Sequence, residues 1–492
     1  MKYVLSIDQS TSGTKGMIFC EDGRLICRAD LPHRQITNEQ GWVEHDPEEI
    51  YFNTLKVARL ALEKSNLPAD SIVAAGISNQ RETVLAWDAQ SGRPLYHAIV
   101  WQCSRATELT DELSQYAPLV LEKTGMELSP FFSGPKLAWL IRNVEQIRAS
   151  LNRGTLRCGT IDSWLIYCLT GGKSFKTDYS NASRTQLLDI QAQTWSPEML
   201  ALFGLTRDCL PEICMSDSCF GDSDFGGIFP HPIPIRGVLG DSHAALFAGG
   251  GVSPGRAKVT FGTGSSVMLN VGLSLKRPIP GVVASLAWGL EGKVEYVLEG
   301  NINYTGAVLK WLADDIHLIQ NSAESEQIAQ TIPDTGGVYL VPAFTGLGAP
   351  YFNNNARALL YGMNAATKQA HIVRAALECI AYQIKDVVSV MDQSYGSPVS
   401  QISADGGPTK NKLLMQFVAD MLGIPLAVSQ TEELSGAGAA YAAAISAGIA
   451  SRSSILDACK KSTVCPQMSS ETRRQLYQGW QKAVGLIAHS SR

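Results

Sequence analysis

"VLSIDQSTSGTKGMIFC", residues 4–20, sets an apolar run ending at Asp8 against a small hydroxyl-rich turn, Ser10, Thr11, Ser12, Gly13 and Thr14. Lys15, Gly16 and a second apolar run, Met17 to Cys20, follow. The pattern predicts a strand over Tyr3–Asp8, a tight turn, and a strand over Gly16–Cys20. A third strand, Leu25–Ala29, follows Asp22-Gly23, a pair that tolerates the positive φ of a hairpin turn. The small polar turn reads in two ways. It is a plain hairpin connection, or it is a phosphate cradle whose backbone N–H groups approach an oxyanion unobstructed, with Lys15 as a further donor. The GxxxxGK[ST] spacing of a P-loop is absent, and a strand rather than a helix follows.

The arrangement recurs about 250 residues later. Lys258–Phe261 runs into Gly262-Thr263-Gly264-Ser265-Ser266 and then Val267–Val271. Val282–Trp288 and Val294–Glu299 form a hairpin around Glu291-Gly292-Lys293. Two such turns would grip a triphosphate from both sides, the logic of an actin-like (ribonuclease H-like) ATPase. Asp8, at the strand end, would then hold Mg²⁺ directly or through water. Asp46-Pro47-Glu48-Glu49 starts a helix with an Asp cap and acids in the first turn. A strand is predicted at Ile72–Ser78, and helices at Tyr304–Ala313, Lys368–Asp392, Lys410–Leu422 and Ser435–Ala447. The fold class is α/β: two actin-like domains, 1–248 and 249–492, jointed near Gly249-Gly250-Gly251, with the active site in the cleft.

The totals bound the partners. The 492 residues suit about two to four domains. A net charge of −5 offers no basic footprint for nucleic acid. Asp8 interrupts the first apolar run too early for a signal peptide. Ala437–Ala450 is too short, and too rich in Ala and Gly, to insert in a membrane, and reads as a closely packed helix. A soluble cytoplasmic protein is expected. Of the eleven cysteines, Cys209, Cys214 and Cys219 come nearest to a cluster, but their spacing without histidine argues against zinc.

Other stretches suit a nucleotide and a polyol. "SADGGPTKN" (403–411) places Gly406-Gly407 between the strand Val399–Ala404 and a helix at Lys410. An adenine could lie on that backbone, with Asn411 on base or ribose; a plain turn plus a helix start explains the stretch almost as well. "NQRET" (79–83) sets Arg81 beside Glu82. "VWQCSR" (100–105) offers Trp101 as an apolar wall or a core residue. Asp241 in "GDSHAALFAGG" (240–250) is a helix cap or a catalytic base.

With "IDQSTSGTK", "GISNQRET", "AIVWQCSR", "TDYSNASRTQLLDI", "GDSHAALF", "FGTGSS", "VPAFTGLGAPY", "ADGGPTKNKLLMQF" and "GAGAAYAA" in order, the chain resembles the FGGY carbohydrate kinases, most closely the glycerol kinases among them. The resemblance implies ATP and Mg²⁺ as cofactors and a small polyol or sugar as acceptor. Glycerol, giving glycerol 3-phosphate, comes first. It implies Asp241 as base and metal neighbour, and Asp8 as metal-associated carboxylate. Thr11, Ser12 and Gly13 would form the first phosphate loop and Thr263 and Gly264 the second. Gly306, Gly407 and Asn411 would contact nucleotide, and Arg81, Glu82 and Trp101 the acceptor. The chain departs from that pattern at five positions. Phe131 stands for Tyr, Ser242 for Gln, Ser266 for Phe, Lys310 for Gln, and Lys15 for Arg, which keeps charge but loses the bidentate fork. The lost volume at Ser242 and Ser266 suits a four- or five-carbon acceptor (erythritol, erythrulose, xylulose or ribulose) as the alternative. In "GGIFPHPIPI" (226–235), Pro232 replaces the arginine of the family's sugar-bisphosphate inhibitor loop, so that regulation is not implied. A homodimer or homotetramer is left open. An actin-like filament or chaperone ATPase would need both turns but not the Arg81, Glu82, Trp101 and Asp241 set.

Overall fold

The computed structural model describes residues 1–275, 280–431, 433–456 and 459–488. The opening stretch forms β1 (Tyr3–Gln9) and β2 (Gly13–Cys20), antiparallel with Asp8 opposite Lys15. The turn is tighter than expected. β2 starts at Gly13 because Gln9 and Thr14 already pair, and Ser10 N donates to Gly13 O at 2.8 Å. The sheet continues with β3 (Leu25–Pro32), β4 (Ile72–Asn79), β5 (Gly221–Ser223) and β6 (Ile233–Gly240), in the order β5-β6-β4-β1-β2-β3. Between β3 and β4 runs α1 (Pro47–Ser65), capped by Asp46, whose carboxylate accepts from Glu48 N at 2.9 Å.

The second sheet repeats this wiring. It comprises β7 (Arg256–Phe261), β8 (Ser265–Gly272), β9 (Val283–Leu290), β10 (Lys293–Ile302), β11 (Gln401–Gly406), β12 (Leu426–Ser429) and β13 (Lys461–Val464). Their order is β9-β10-β8-β7-β11-β12-β13. In each sheet the first strand is central, antiparallel to the second and parallel to the strand that follows a long helix. The N-terminal half also carries an unforeseen five-stranded sheet of Ile36–Thr37, Val43–His45, Ala98–Ile99, Val84–Asp88 and Leu156–Thr160. Its strands of two to five residues are too short to show a period.

Two helices lie between the sheets, α2 (Asp241–Ala248) after β6 and, near the chain's end, the stretch Leu434–Ser446. They share one core with Val4, Met17 and Leu239 of the first sheet and Met268, Trp288 and Val297 of the second. The later helix presses its backbone on the first sheet: a Cβ on Gly76 or on Gly237 would lie 2.4 Å from Ala439 O. Gly237→Val is therefore expected to destabilise by about 1–3 kcal/mol, the range for overpacking. An unchanged urea midpoint would mean that the helix can retreat.

Two helices start two residues later than expected. One helix begins at Gly306 rather than Tyr304, and the helix after Gly406-Gly407 begins at Lys412, following a 3₁₀ turn at Gly407–Lys410. Among the described residues no helix is long and apolar enough to cross a membrane, and no group of His, Cys, Asp and Glu is set to hold a metal on its own.

Candidate active site

β6 ends at Gly240, and Asp241 is the first residue of α2. The cap reading of Asp241 does not hold. Gly240 occupies the N-cap position without a side-chain cap, and among the described residues Asp241 Oδ1 accepts only from its neighbour, Ser242 N at 2.6 Å and Ser242 Oγ at 3.3 Å. The carboxylate stays 32% exposed. Glycine is required at 240 by what crosses it, since a Cβ there would lie 2.7 Å from Arg81 Cγ.

Arg81 joins the two halves. Its Nε lies 3.2 Å from Asp241 Oδ1, and its fork donates to Glu299 Oε2 and Oε1 at 2.8 and 3.0 Å. Glu299, on β10, also meets Arg184 Nη1 at 3.1 Å and accepts from Ser266 Oγ at 3.1 Å. Arg184 Nε donates to Glu82 Oε1 at 2.6 Å. Burial alone would raise the Glu299 carboxyl, but Arg184 and Arg81 outweigh it and hold the group far below the usual carboxylate range. Burial likewise opposes the charge on Arg81, and Glu299 and Glu82 more than restore it. His243, buried beside these cations, is pushed well down and stays neutral. Glu82 takes a left-handed backbone, φ 63°, which costs a non-glycine residue about 1 kcal/mol or more.

Asp8 is buried at the end of β1. Its Oδ1 has no hydrogen-bond partner among the described residues, and its Oδ2 lies 3.7 Å from Lys15 Nζ. Burial, offset in part by Lys15 and reinforced by the negative charge of Asp241, pushes its carboxyl up to about 6. Lys15 sits beside the first turn, but its ammonium is engaged by Glu433 at 2.7 Å, and Glu433 also pairs with Arg28. Thr11 and Ser12 lie at the surface of that turn. The indole of Trp101 donates to Thr11 Oγ1 at 2.9 Å, which ties the apolar wall to the turn. The Phe131 ring lies 5.5 Å from that of Trp101, and the buried Lys136 holds this corner through Pro130 O (2.6 Å) and Phe131 O. From Phe131, Arg184 and Glu299 a cavity of about 340 Å³ extends toward Asn301 and Val283.

In the second half, Gly262 N donates to Gly264 O at 2.8 Å, and the following helix (Gly306–Asp314) backs onto the turn. Gly306 N reaches Gly262 O and Ala307 N reaches Thr263 O, both at 3.0 Å. Thr263, Gly306, Lys310, Gly407 and Asn411 line one cavity of about 650 Å³, joined by Glu326. Among the described residues a Cβ on Gly407 would meet nothing within 4 Å, so the backbone there is open to a flat group. Asn411 spends its Oδ1 capping Leu414 N at 2.9 Å, and Lys310 is exposed, 3.9 Å from Asp314.

The expected residues thus gather at the acceptor end and in the larger cavity. Sequence reasoning gave no role to Arg184 and Glu299. The available signal was a lone acid inside the apolar strand "YVLEG" (296–300), a charge that must find a partner when buried.

Family models match both halves: the N-terminal domain of the FGGY family of carbohydrate kinases over residues 3–248, and its C-terminal domain over 257–447. The chain is 44% identical over 487 residues to a glycerol kinase of Carboxydothermus hydrogenoformans, covering 98% of this chain and 97% of that one. It is 42% identical over 490 residues to glycerol kinase 2 of Thermotoga maritima, covering 98% of each. Among solved structures, Plasmodium falciparum glycerol kinase with ADP superposes with a TM-score of 0.94 at 35% identity, covering 99% of this chain and 98% of that one. These matches span nearly the whole chain and agree with its twice-built α/β architecture: the protein belongs to the FGGY family of carbohydrate kinases.

Proposed function

We propose that this kinase transfers the γ-phosphoryl group of ATP to a terminal hydroxyl of glycerol, giving glycerol 3-phosphate. The observation that carries the reading is the Asp241 carboxylate, partly exposed and uncapped, with the guanidinium of Arg81 at 3.2 Å on one side and the unpartnered oxygen of Asp8 near it. Arg81 and Glu82 read acceptor hydroxyls, and Trp101 and Phe131 cover the carbon face. Asp241 orients the attacking hydroxyl and takes its proton late, because a loose transition state leaves mostly positioning and charge for the protein to supply. The backbone N–H groups around Thr11–Gly13 and Thr263–Gly264 hold the phosphates, and the 650 Å³ cavity with Gly306, Lys310, Gly407 and Asn411 takes the adenosine. A buried carboxylate oxygen without a partner suits a hard cation, so Asp8, with Asp241, would hold Mg²⁺. When bound, Mg²⁺ neutralises phosphate charge during transfer. Residues 1–248 would supply the acceptor site, first turn and base, and 249–492 the second turn and adenosine cavity. The eleven cysteines are all free thiols, which suits a reducing, cytoplasmic setting.

The 340 Å³ cavity beyond Phe131 and Glu299 favours a second reading, a four- or five-carbon acceptor. ATP consumption with glycerol, erythritol, erythrulose, xylulose and ribulose, ranked by kcat/KM, decides. Glycerol is expected to lead by at least about tenfold, a modest discrimination for a hydroxyl-reading site. A leading tetritol or pentulose would move the assignment, and a rate indifferent to every polyol would point to a filament or chaperone ATPase.

A further inference from the structure

Glu299 is a buried anion to which the transfer step above gives no task. It is fully buried on a strand of the C-terminal half, yet both of its cations, Arg81 and Arg184, come from the N-terminal half. Together they set charges of alternating sign in a row across the cleft: Glu82, Arg184, Glu299, Arg81, Asp241. The row ends on the base. Stability alone accounts poorly for it, because burying charges costs about as much as their attraction returns, and apolar residues of the same volume would do as well. What the row achieves is geometry. The planar fork of Arg81 is fixed by two parallel bonds to one carboxylate, which leaves its Nε facing Asp241 without an aligned hydrogen bond. Ser266, next to the second turn, adds a hydroxyl to the same carboxylate.

Resting on the proposed polyol kinase reading, we propose that Glu299 is a positioning residue for phosphoryl transfer, holding Arg81 from across the cleft so that base and acceptor contact are aligned only when the two halves meet. Without the Glu299 charge, Arg81 turns toward Asp241, the carboxylate already 3.2 Å from its Nε. The acceptor then loses its donor and the base its freedom, while the nucleotide cavity, lined by other residues, is untouched.

The test compares Glu299→Gln, which keeps the shape and removes the charge, with Glu299→Asp, which keeps the charge and withdraws it by a methylene. Both are assayed with whichever polyol the wild type uses best, beside ADP affinity by titration calorimetry. The expected result is a kcat about 10²-fold lower for Gln, the effect of misplacing a reacting group by about an ångström. Partial recovery in Asp, a raised acceptor KM and an ADP affinity within about twofold of wild type complete the expectation. A kcat within about threefold of wild type in both variants overturns the proposal. So does a loss of ADP affinity that matches the loss of kcat, since that marks general structural damage. If Gln fails to fold, Asp carries the test alone: an unchanged kcat with Asp sinks it. A wild type that phosphorylates a polyol other than glycerol corrects the acceptor and leaves this inference standing, whereas a wild type that phosphorylates none removes both.

Discussion

Asp241→Asn is expected to lower kcat by about 10²–10⁴-fold, the scale of a positioned base, with ADP affinity retained. The substitution is nearly isosteric. Asn Oδ1 still accepts from Ser242 N, and Arg81 keeps both bonds to Glu299. The Asp241 carboxylate is partly exposed and does not cap α2, so its charge contributes little to folding. A fall in kcat therefore reads the chemistry of the carboxylate. The adenosine cavity is lined wholly by residues from Phe261 onward, so the affinity for ADP measured without Mg²⁺ is expected to stay unchanged. Single-turnover rates and an ADP titration check both halves of the statement, and near-normal turnover would remove Asp241 from the mechanism.

The second large effect is at Asp8. Asp8→Asn is expected to raise the Mg²⁺ concentration for half-maximal activity by about 10–100-fold, the loss seen when a group supporting a metal is removed. The same variant changes stability with a sign that follows from burial. The native carboxyl is raised to about 6 from an unfolded value near 3.8, so the folded state holds the proton more tightly. That contribution is complete below about pH 4 and is lost as pH rises to about 6. Two units correspond to about 3 kcal/mol. Above pH 6 without metal, the variant should melt a few degrees higher than wild type, and the gap should close toward pH 4. Adding Mg²⁺ with ADP should raise the wild-type melting temperature more than the variant's. Thermal melts across that pH range decide, and a variant with wild-type Mg²⁺ dependence would detach Asp8 from the metal.

How much could be read from the chain depended on whether a residue's partner lay nearby in it. The first turn and its strands were legible because Asp8, Gly13 and Lys15 sit within one hairpin, where alternation and turn chemistry act locally. Asp241 was legible as a carboxylate at a strand–helix junction, although local pattern could not separate cap from base. Its uncapped geometry removes the first of these. Asn411 was ambiguous for the same reason, and its side chain does cap the helix while lining the cavity. The roles of Glu299 and Arg184 stayed hidden because their partners lie 218 and 102 residues away, at Arg81 and Glu82, and only the fold brings them together. Lys15 was expected to face phosphate, but Glu433, from the far end of the chain, takes its ammonium.

The seating of Leu434–Ser446 against Gly76 and Gly237 has a consequence for any attempt to split the molecule. A fragment cut after Ala248 keeps every strand of its own sheet but loses the roof over one side, leaving Val4, Met17 and Leu239 bare to water. The complementary fragment keeps that helix but loses the first-sheet side chains it packs on. Two halves of like wiring are therefore expected to fold as one cooperative body, and activity from split fragments should return only when both are present together.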